Sequence, residues 1–279
     1  MTERFSPRRI DRKVPEVSHG EMCWFDRHPF SGVKYAYPVE RKCGYFYVCG
    51  CFCSPRCAKG FILTQYDGTY EITNLFDEMI REVLDLSFVS APTPLFIMPA
   101  FNPLSLSGMS IHQYRTLEPS YVTSAPEPGS ASRLLGQSAR EDFGWGVDPH
   151  ILCWNDGHPI NGTWSYATPL EMRDATFDIT GYFCSLNCAL RYTVDHALSH
   201  QLSPVLFGLL CFQLYGIDPV EVQCPPPRFV LADYGGGGCT IEQYRLGHIR
   251  PHPRADGPRC VRRPYFHYHM PSSNSNKIL

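Results

Sequence analysis

The feature that most constrains this chain is an internal duplication. Residues 23–32 read C-W-F-D-R-H-P-F-S-G and residues 153–162 read C-W-N-D-G-H-P-I-N-G, an offset of 130 with six of ten positions identical. A second block, G-C-F-C-S-P-R-C-A at 50–58, faces G-Y-F-C-S-L-N-C-A at 181–189. A third, G-M-S-I-H-Q-Y-R at 108–115, faces G-C-T-I-E-Q-Y-R at 238–245. Three blocks in one order and nearly one register define a tandem repeat. The expected boundaries are a basic N-terminal arm at 1–17, repeat 1 at 18–118 and a Pro/Ser-rich linker at 119–147. Repeat 2 follows at 148–248, and a basic, aromatic C-terminal arm at 249–279.

The repeat acts as a filter on the chemistry. The chain holds 13 cysteines, and its polar N-terminus has no apolar stretch of the kind that directs secretion. Thiolate metal sites are therefore a better reading than a disulfide framework. Only Cys23, Cys53 and Cys57 have thiol counterparts, in Cys153, Cys184 and Cys188. A metal site present in both repeats must use these, with a fourth ligand from the first block. Zinc favours thiolate and imidazole donors in tetrahedral sites, which points to His28 and His158. Asp26 and Asp156, matched as well, are the alternative ligands, or else partners that orient the histidines. The expected cofactor is two structural zinc ions per chain.

Local signals agree with such a site. Ser54 and Ser185 are suitable N-caps, so the second cysteine of each F-C-S-x-x-C falls in an opening helical turn. Aromatic, strand-like runs precede both pairs, at 45–48 and 176–179. One ligand at a strand end, one in a helix start and a distant turn describe a treble-clef-like unit. The expected fold is thus α+β, with two pseudo-symmetric, loop-rich zinc-binding domains and extended basic terminal arms. Residues 72–86 carry a helical apolar face capped by Thr73 or Asn74, and the more apolar 202–215 is expected to be more deeply buried. Ser110 with Gln113 and Thr240 with Gln243 form capping boxes.

Composition narrows the function classes. Hydrophobic residues make up 43% and charged residues 19%, so the chain can build ordinary cores. No run approaches the roughly 18–20 apolar residues of a membrane span. The net charge is −2, with positive charge concentrated at the ends. In the C-terminal arm Arg250, Arg254, Arg259, Arg262 and Arg263 are interleaved with Tyr265, Phe266 and Tyr268. Such a pattern suits phosphate neutralisation and base stacking, or equally the anchoring of a protein partner. The histidines form no H-E-x-x-H spacing, Gly235–Gly238 lacks the G-K-S/T of a phosphate loop, and a centre with four protein ligands is closed. The chain is expected not to be an enzyme, and no small-molecule substrate is expected.

The ordered combination C-W-x-D-x-H-P-F, G-x-F-C-S-x-x-C-A, a Pro-rich segment and T-I-E-Q-Y-R resembles the late gene transcription factors of poxviruses and other large DNA viruses, specifically the second late factor. The F-C-S-x-x-C core is also similar to MYM and FCS zinc fingers. The resemblance covers about 200 residues across both repeats, whereas family members carry one copy. It implies a zinc-binding viral protein of the infected cell's cytoplasmic factory or nucleus, or of the virion. Its partners would be viral transcription proteins and, through the C-terminal arm, nucleic acid. The alternative is a structural or minor capsid protein using the zinc domains as rigid packing modules.

Overall fold

The computed structural model describes residues 8–9, 16–65, 70–92, 95, 98, 100–101, 109–116, 150–162, 164–197, 202–235 and 238–262. The 119–147 linker, together with Arg263, Tyr265, Phe266 and Tyr268, lies outside these residues. The chain is a mixed helix and sheet protein.

Repeat 1 is built on the hairpin β4 (Tyr35–Lys42) and β5 (Tyr45–Phe52). Its turn residues Cys43 and Gly44 both have positive φ (51° and 78°), the twist that a two-residue hairpin loop needs. Repeat 2 has the matching hairpin β6 (Tyr166–Arg173) and β7 (Thr176–Phe183), turned by Asp174 and Ala175 with φ of 48° and 58°. The pairing register slips at the same places in both, between Tyr35 and Tyr37 and Pro38 and Glu40, and between Tyr166 and Thr168 and Pro169 and Glu171. Pro38 and Pro169 have no N–H to give to a ladder, so the irregularity sits where proline already weakens the pairing.

A short N-terminal strand β1 (Arg8–Arg9) pairs antiparallel with β5, and β2 (Val17–Met22) pairs with β3 (Pro29–Val33). In repeat 2 the outer position beside β7 is taken by β8 (Arg259–Arg262), running parallel. Part of the expected C-terminal arm is therefore a sheet strand rather than an extension. Its Cys260 is buried against Phe177.

Each hairpin feeds a helix, α1 (Pro55–Gln65) in repeat 1 and α4 (Leu186–Asp195) in repeat 2. The G-x-F of each motif has a steric reason. Gly50 and Gly181 hold φ of +101° and +80°, and a Cβ there would stand 2.3 Å from the Phe52 ring and 2.5 Å from the Phe183 ring. Both phenylalanines are fully buried. Burying each contributes about 1.5–3 kcal/mol, available only because glycine leaves room.

α2 (Tyr70–Leu84) and α3 (Ile111–Thr116) lie between these helices, and α5 (Pro204–Leu210) and α6 (Ile241–Tyr244) follow α4. α2 starts a turn before the expected caps, with Glu71 in its first turn where the helix dipole favours an acid. It buries Phe76, Met79 and Ile80 on one face. α5 runs into a π-helical turn at Cys211–Tyr215. The expectation of deeper burial here fails in part. Phe207, Leu210, Cys211 and Leu214 face inward, but Val205 and Phe212 are exposed (83% and 61%), because the helix packs on one side only.

The repeats meet through reciprocal contacts. Trp24 Nε1 donates to the Tyr234 carbonyl at 2.9 Å, and Trp154 Nε1 donates to the Phe101 carbonyl at 2.8 Å. Trp24 also stacks on Phe229, with ring centroids 4.0 Å apart. Arg228 Nη2 donates to the Trp24 carbonyl at 2.9 Å, while within repeat 2 the Tyr234 hydroxyl donates to the Asp156 carbonyl at 3.0 Å. Each repeat thus seats its first-block tryptophan on the later segment of the other.

Candidate metal centres

Two four-residue clusters form from the duplicated blocks: Cys23, Asp26, Cys53 and Cys57, and Cys153, Asp156, Cys184 and Cys188. Within each, the potential ligand atoms lie within 4.8 Å of one another. The first block supplies a tight turn. The Arg27 N–H donates to the Cys23 carbonyl at 2.9 Å, and the Gly157 N–H to the Cys153 carbonyl at 2.8 Å. This turn swings the aspartate back over the cysteine three residues earlier. The second block supplies a thiol at the strand end and another in the helix start. The Ser54 and Ser185 hydroxyls accept from the Cys57 and Cys188 N–H at 3.1 Å each, as the capping argument anticipates.

Distances within the clusters suit a small tetrahedral ion. The Cys53 and Cys57 sulfurs are 3.5 Å apart, as are those of Cys184 and Cys188. The Asp26 Oδ2 lies 3.2 Å from the Cys53 Sγ, and the Asp156 Oδ2 lies 3.4 and 3.5 Å from the Cys184 and Cys188 sulfurs. Sulfurs bound at 2.3 Å to one tetrahedral ion would stand about 3.8 Å apart. Every member but Cys53 is buried, with Cys23, Asp26, Cys153, Asp156 and Cys188 fully so.

Electrostatics make the same point. Burial, and then the neighbouring Cys23, pushes the Asp26 carboxyl up to about 7. Burial, and then Cys153, raises Asp156. Burial pushes the Cys23 thiol up to about 12. Four acidic groups confined in one buried space cannot all ionise on their own, and a divalent cation removes that conflict. The donor set therefore fits a metal ion.

The fourth member is aspartate, not histidine. His28 and His158 direct Nδ1 at the carbonyls of Asp26 and Asp156, at 2.7 and 2.9 Å. Neither ring is among the converging donors. The His158 Nε2 meets Asp233 at 2.9 Å, and the His28 ring lies against Phe101. The shorter carboxylate, placed by the turn itself, fills the position expected of imidazole.

Two arginines outside the expected ligand set complete the centres, one in each. Arg115 Nε donates to Asp26 Oδ2 at 2.9 Å and its Nη2 to Oδ1 at 3.0 Å. Arg245 repeats the fork on Asp156 at 2.9 and 2.7 Å. The same guanidiniums donate to the carbonyls of Pro29 and His28, and of Pro159 and His158. The third block carries the signal, since its Q-Y-R is shared by both repeats. In repeat 2 that box is complete, with reciprocal bonds between Thr240 and Gln243. In repeat 1 Ser110 and Gln113 make both equivalent bonds.

The arginines expected to contact nucleic acid are largely engaged within the protein. Arg250 Nε donates to the Cys184 carbonyl at 3.2 Å. Arg254 forks onto Asp256 at 3.1 and 3.0 Å. Arg262 donates to the Gly181 carbonyl and to Ser165, with its guanidinium 4.3 Å from the Tyr182 ring centroid. Arg259, on β8, is exposed.

Comparison with known proteins places the chain near one viral relative. It is 28% identical over 106 residues to the uncharacterized protein R450 of Acanthamoeba polyphaga mimivirus, a stretch covering 36% of this chain and 30% of that protein. The chain thus spans less than a third of that relative's length. No protein family and no solved structure matches the chain. Among the described residues, no helix is long and apolar enough to cross a membrane.

Proposed function

We propose that this chain is a non-enzymatic viral zinc protein, in which two closed metal centres stabilise a pair of related modules that work through protein contacts. The observation carrying this reading is the closure of both centres: four converging donors, all buried except the half-buried Cys53, with the carboxylate further clamped by an arginine. A catalytic zinc keeps a coordination position for water or substrate, and this donor set supplies all four. Three thiolate donors in each cluster favour zinc over harder cations. Each module is read as treble-clef-like, with a hairpin, a turn and a helix contributing ligands, and the two modules as pseudo-symmetric copies. The two repeats are bounded by their matched blocks, with β1 and β8 adding parts of the expected arms to the sheets of the first and second modules.

The setting we favour is the late transcription machinery of a large DNA virus, on the resemblance of the three motif blocks and the similarity to a mimivirus protein. It places the chain in the infected cell and gives it viral proteins as partners. The internal use of Arg250 and Arg262 favours protein contacts over a DNA-binding arm. That same observation supports the second reading, a structural component of the virus particle. Fractionation of infected cells separates the two: association with viral RNA polymerase supports the first, and fixed stoichiometry in purified particles supports the second. DNA affinity read by fluorescence anisotropy should be weak. Tight binding with a steep salt dependence that shrinks in Arg259→Gln would refute the protein-contact assignment.

A further inference from the structure

We infer that Arg115 and Arg245 are positioning residues of the two metal centres, present in the repeat to make an aspartate serve as the fourth donor. The inference rests on the metal-binding reading above. Each arginine reaches its aspartate from 89 residues away in sequence, at the end of a short helix built for that purpose. The capping box starts the helix and a buried tyrosine anchors it, Tyr114 in α3 and Tyr244 in α6. The Tyr244 hydroxyl donates to the Pro226 carbonyl at 2.8 Å. One residue further on, the guanidinium lies against the ligand turn.

The fork does three things to the carboxylate. It fixes the plane, because Nε and Nη2 hold one oxygen each. It leaves one oxygen for the cluster, because Oδ1 already accepts from Arg115 and from the His28 N–H at 3.1 Å. The same holds in repeat 2, where the His158 N–H meets Asp156 Oδ1 at 3.0 Å. Oδ2 alone faces the thiols. It also corrects the charge: three thiolates and a carboxylate around a divalent cation leave two surplus negative charges in a buried space, and the arginine offsets one. Lysine could supply the charge but not the two-point fork. A histidine ligand would need no such partner, which accounts for arginine and aspartate occurring together in both repeats.

The test is cobalt(II) and zinc binding by the full chain, comparing wild type with Arg245→Gln, Arg245→Lys and, as a surface control, Arg173→Gln. Readouts are the thiolate-to-cobalt absorption band and zinc affinity by competition with a chromophoric chelator. Arg245→Gln should weaken one of the two sites by about 10–100-fold, the usual cost of losing a partner that orients a ligand, and leave the other unchanged. Arg245→Lys should recover part of that loss, and Arg173→Gln should match wild type. A second arm covers misfolding: in an Asp156→His background, whose neutral fourth donor needs neither the fork nor the charge it offsets, adding Arg245→Gln should change affinity less than about threefold. Wild-type affinity in Arg245→Gln, or a full loss on adding it to Asp156→His, overturns the inference alone. A wild type that takes up no cobalt or zinc overturns the metal reading and this inference with it.

Discussion

Two glycines with nearly the same φ allow the packing around the second ligand turn to be weighed. Gly157 has φ +76° and Gly44 has φ +78°. A Cβ on Gly44 would meet nothing within 4 Å. A Cβ on Gly157 would stand 2.2 Å from the Tyr234 hydroxyl and 3.0 Å from the Arg27 Cβ. Tyr234 cannot swing aside at low cost, since it is 1% exposed and its hydroxyl is bonded to the Asp156 carbonyl. Gly44→Ala should therefore cost only the left-handed backbone penalty, about 1 kcal/mol. Gly157→Ala should add about 1–3 kcal/mol of overpacking and about 1 kcal/mol for the displaced tyrosine bond. The total is about 3–5 kcal/mol, or roughly 6–20 °C in Tm for a chain of this size. Urea and thermal unfolding must be run at one fixed zinc excess, because bound metal shifts apparent stability. Equal losses in the two variants, within about 0.5 kcal/mol, would refute the close packing of Tyr234 and Arg27 against Gly157.

Three further perturbations test separate parts of the structure. Trp154→Phe keeps an aromatic ring but removes the N–H that the Phe101 carbonyl accepts, and should cost about 1–3 kcal/mol in urea unfolding. Ser185→Ala removes the cap of α4 and should cost about 1 kcal/mol, with a larger loss of zinc affinity at the second centre than at the first. Glu21, although burial opposes it, is held below its ordinary 4.5 by hydrogen bonds from Lys34, Ser18 and the His19 N–H. A lowered carboxylate contributes stability above its unfolded pKa and loses it as pH falls through the folded value. Stability of the wild type should therefore fall more steeply below pH 4.5 than that of Glu21→Gln, and parallel acid limbs would count against the pair.

The duplication made much of this legible. Matching blocks isolated Cys23, Cys53, Cys57 and their counterparts from seven unmatched thiols, and the structure brings those six into the two clusters. Hairpin strands, the Ser54 and Ser185 caps and both capping boxes follow from local chemistry, which sequence records directly. Between His and Asp as the fourth member, donor preference weighed without geometry favoured His, whereas the clusters hold the alternative, Asp26 and Asp156. His28 and Asp26 are two residues apart, and only the fold of the turn shows that the imidazole closes on its own backbone. Arg115 and Arg245 escaped because their partners are 89 residues distant. The engagement of Arg250 and Arg262 was hidden for the same reason, as charge counted along a chain does not distinguish a paired arginine from an exposed one.

The central claim is that each repeat holds one structural zinc through three thiols and an aspartate. Elemental analysis of the purified protein, beside the Cys57→Ser/Cys188→Ser variant, tests it most directly. The account predicts two zinc ions per wild-type chain, with zinc lost from the variant together with cooperative unfolding. A wild-type chain that is folded and cooperative yet holds no zinc would contradict it.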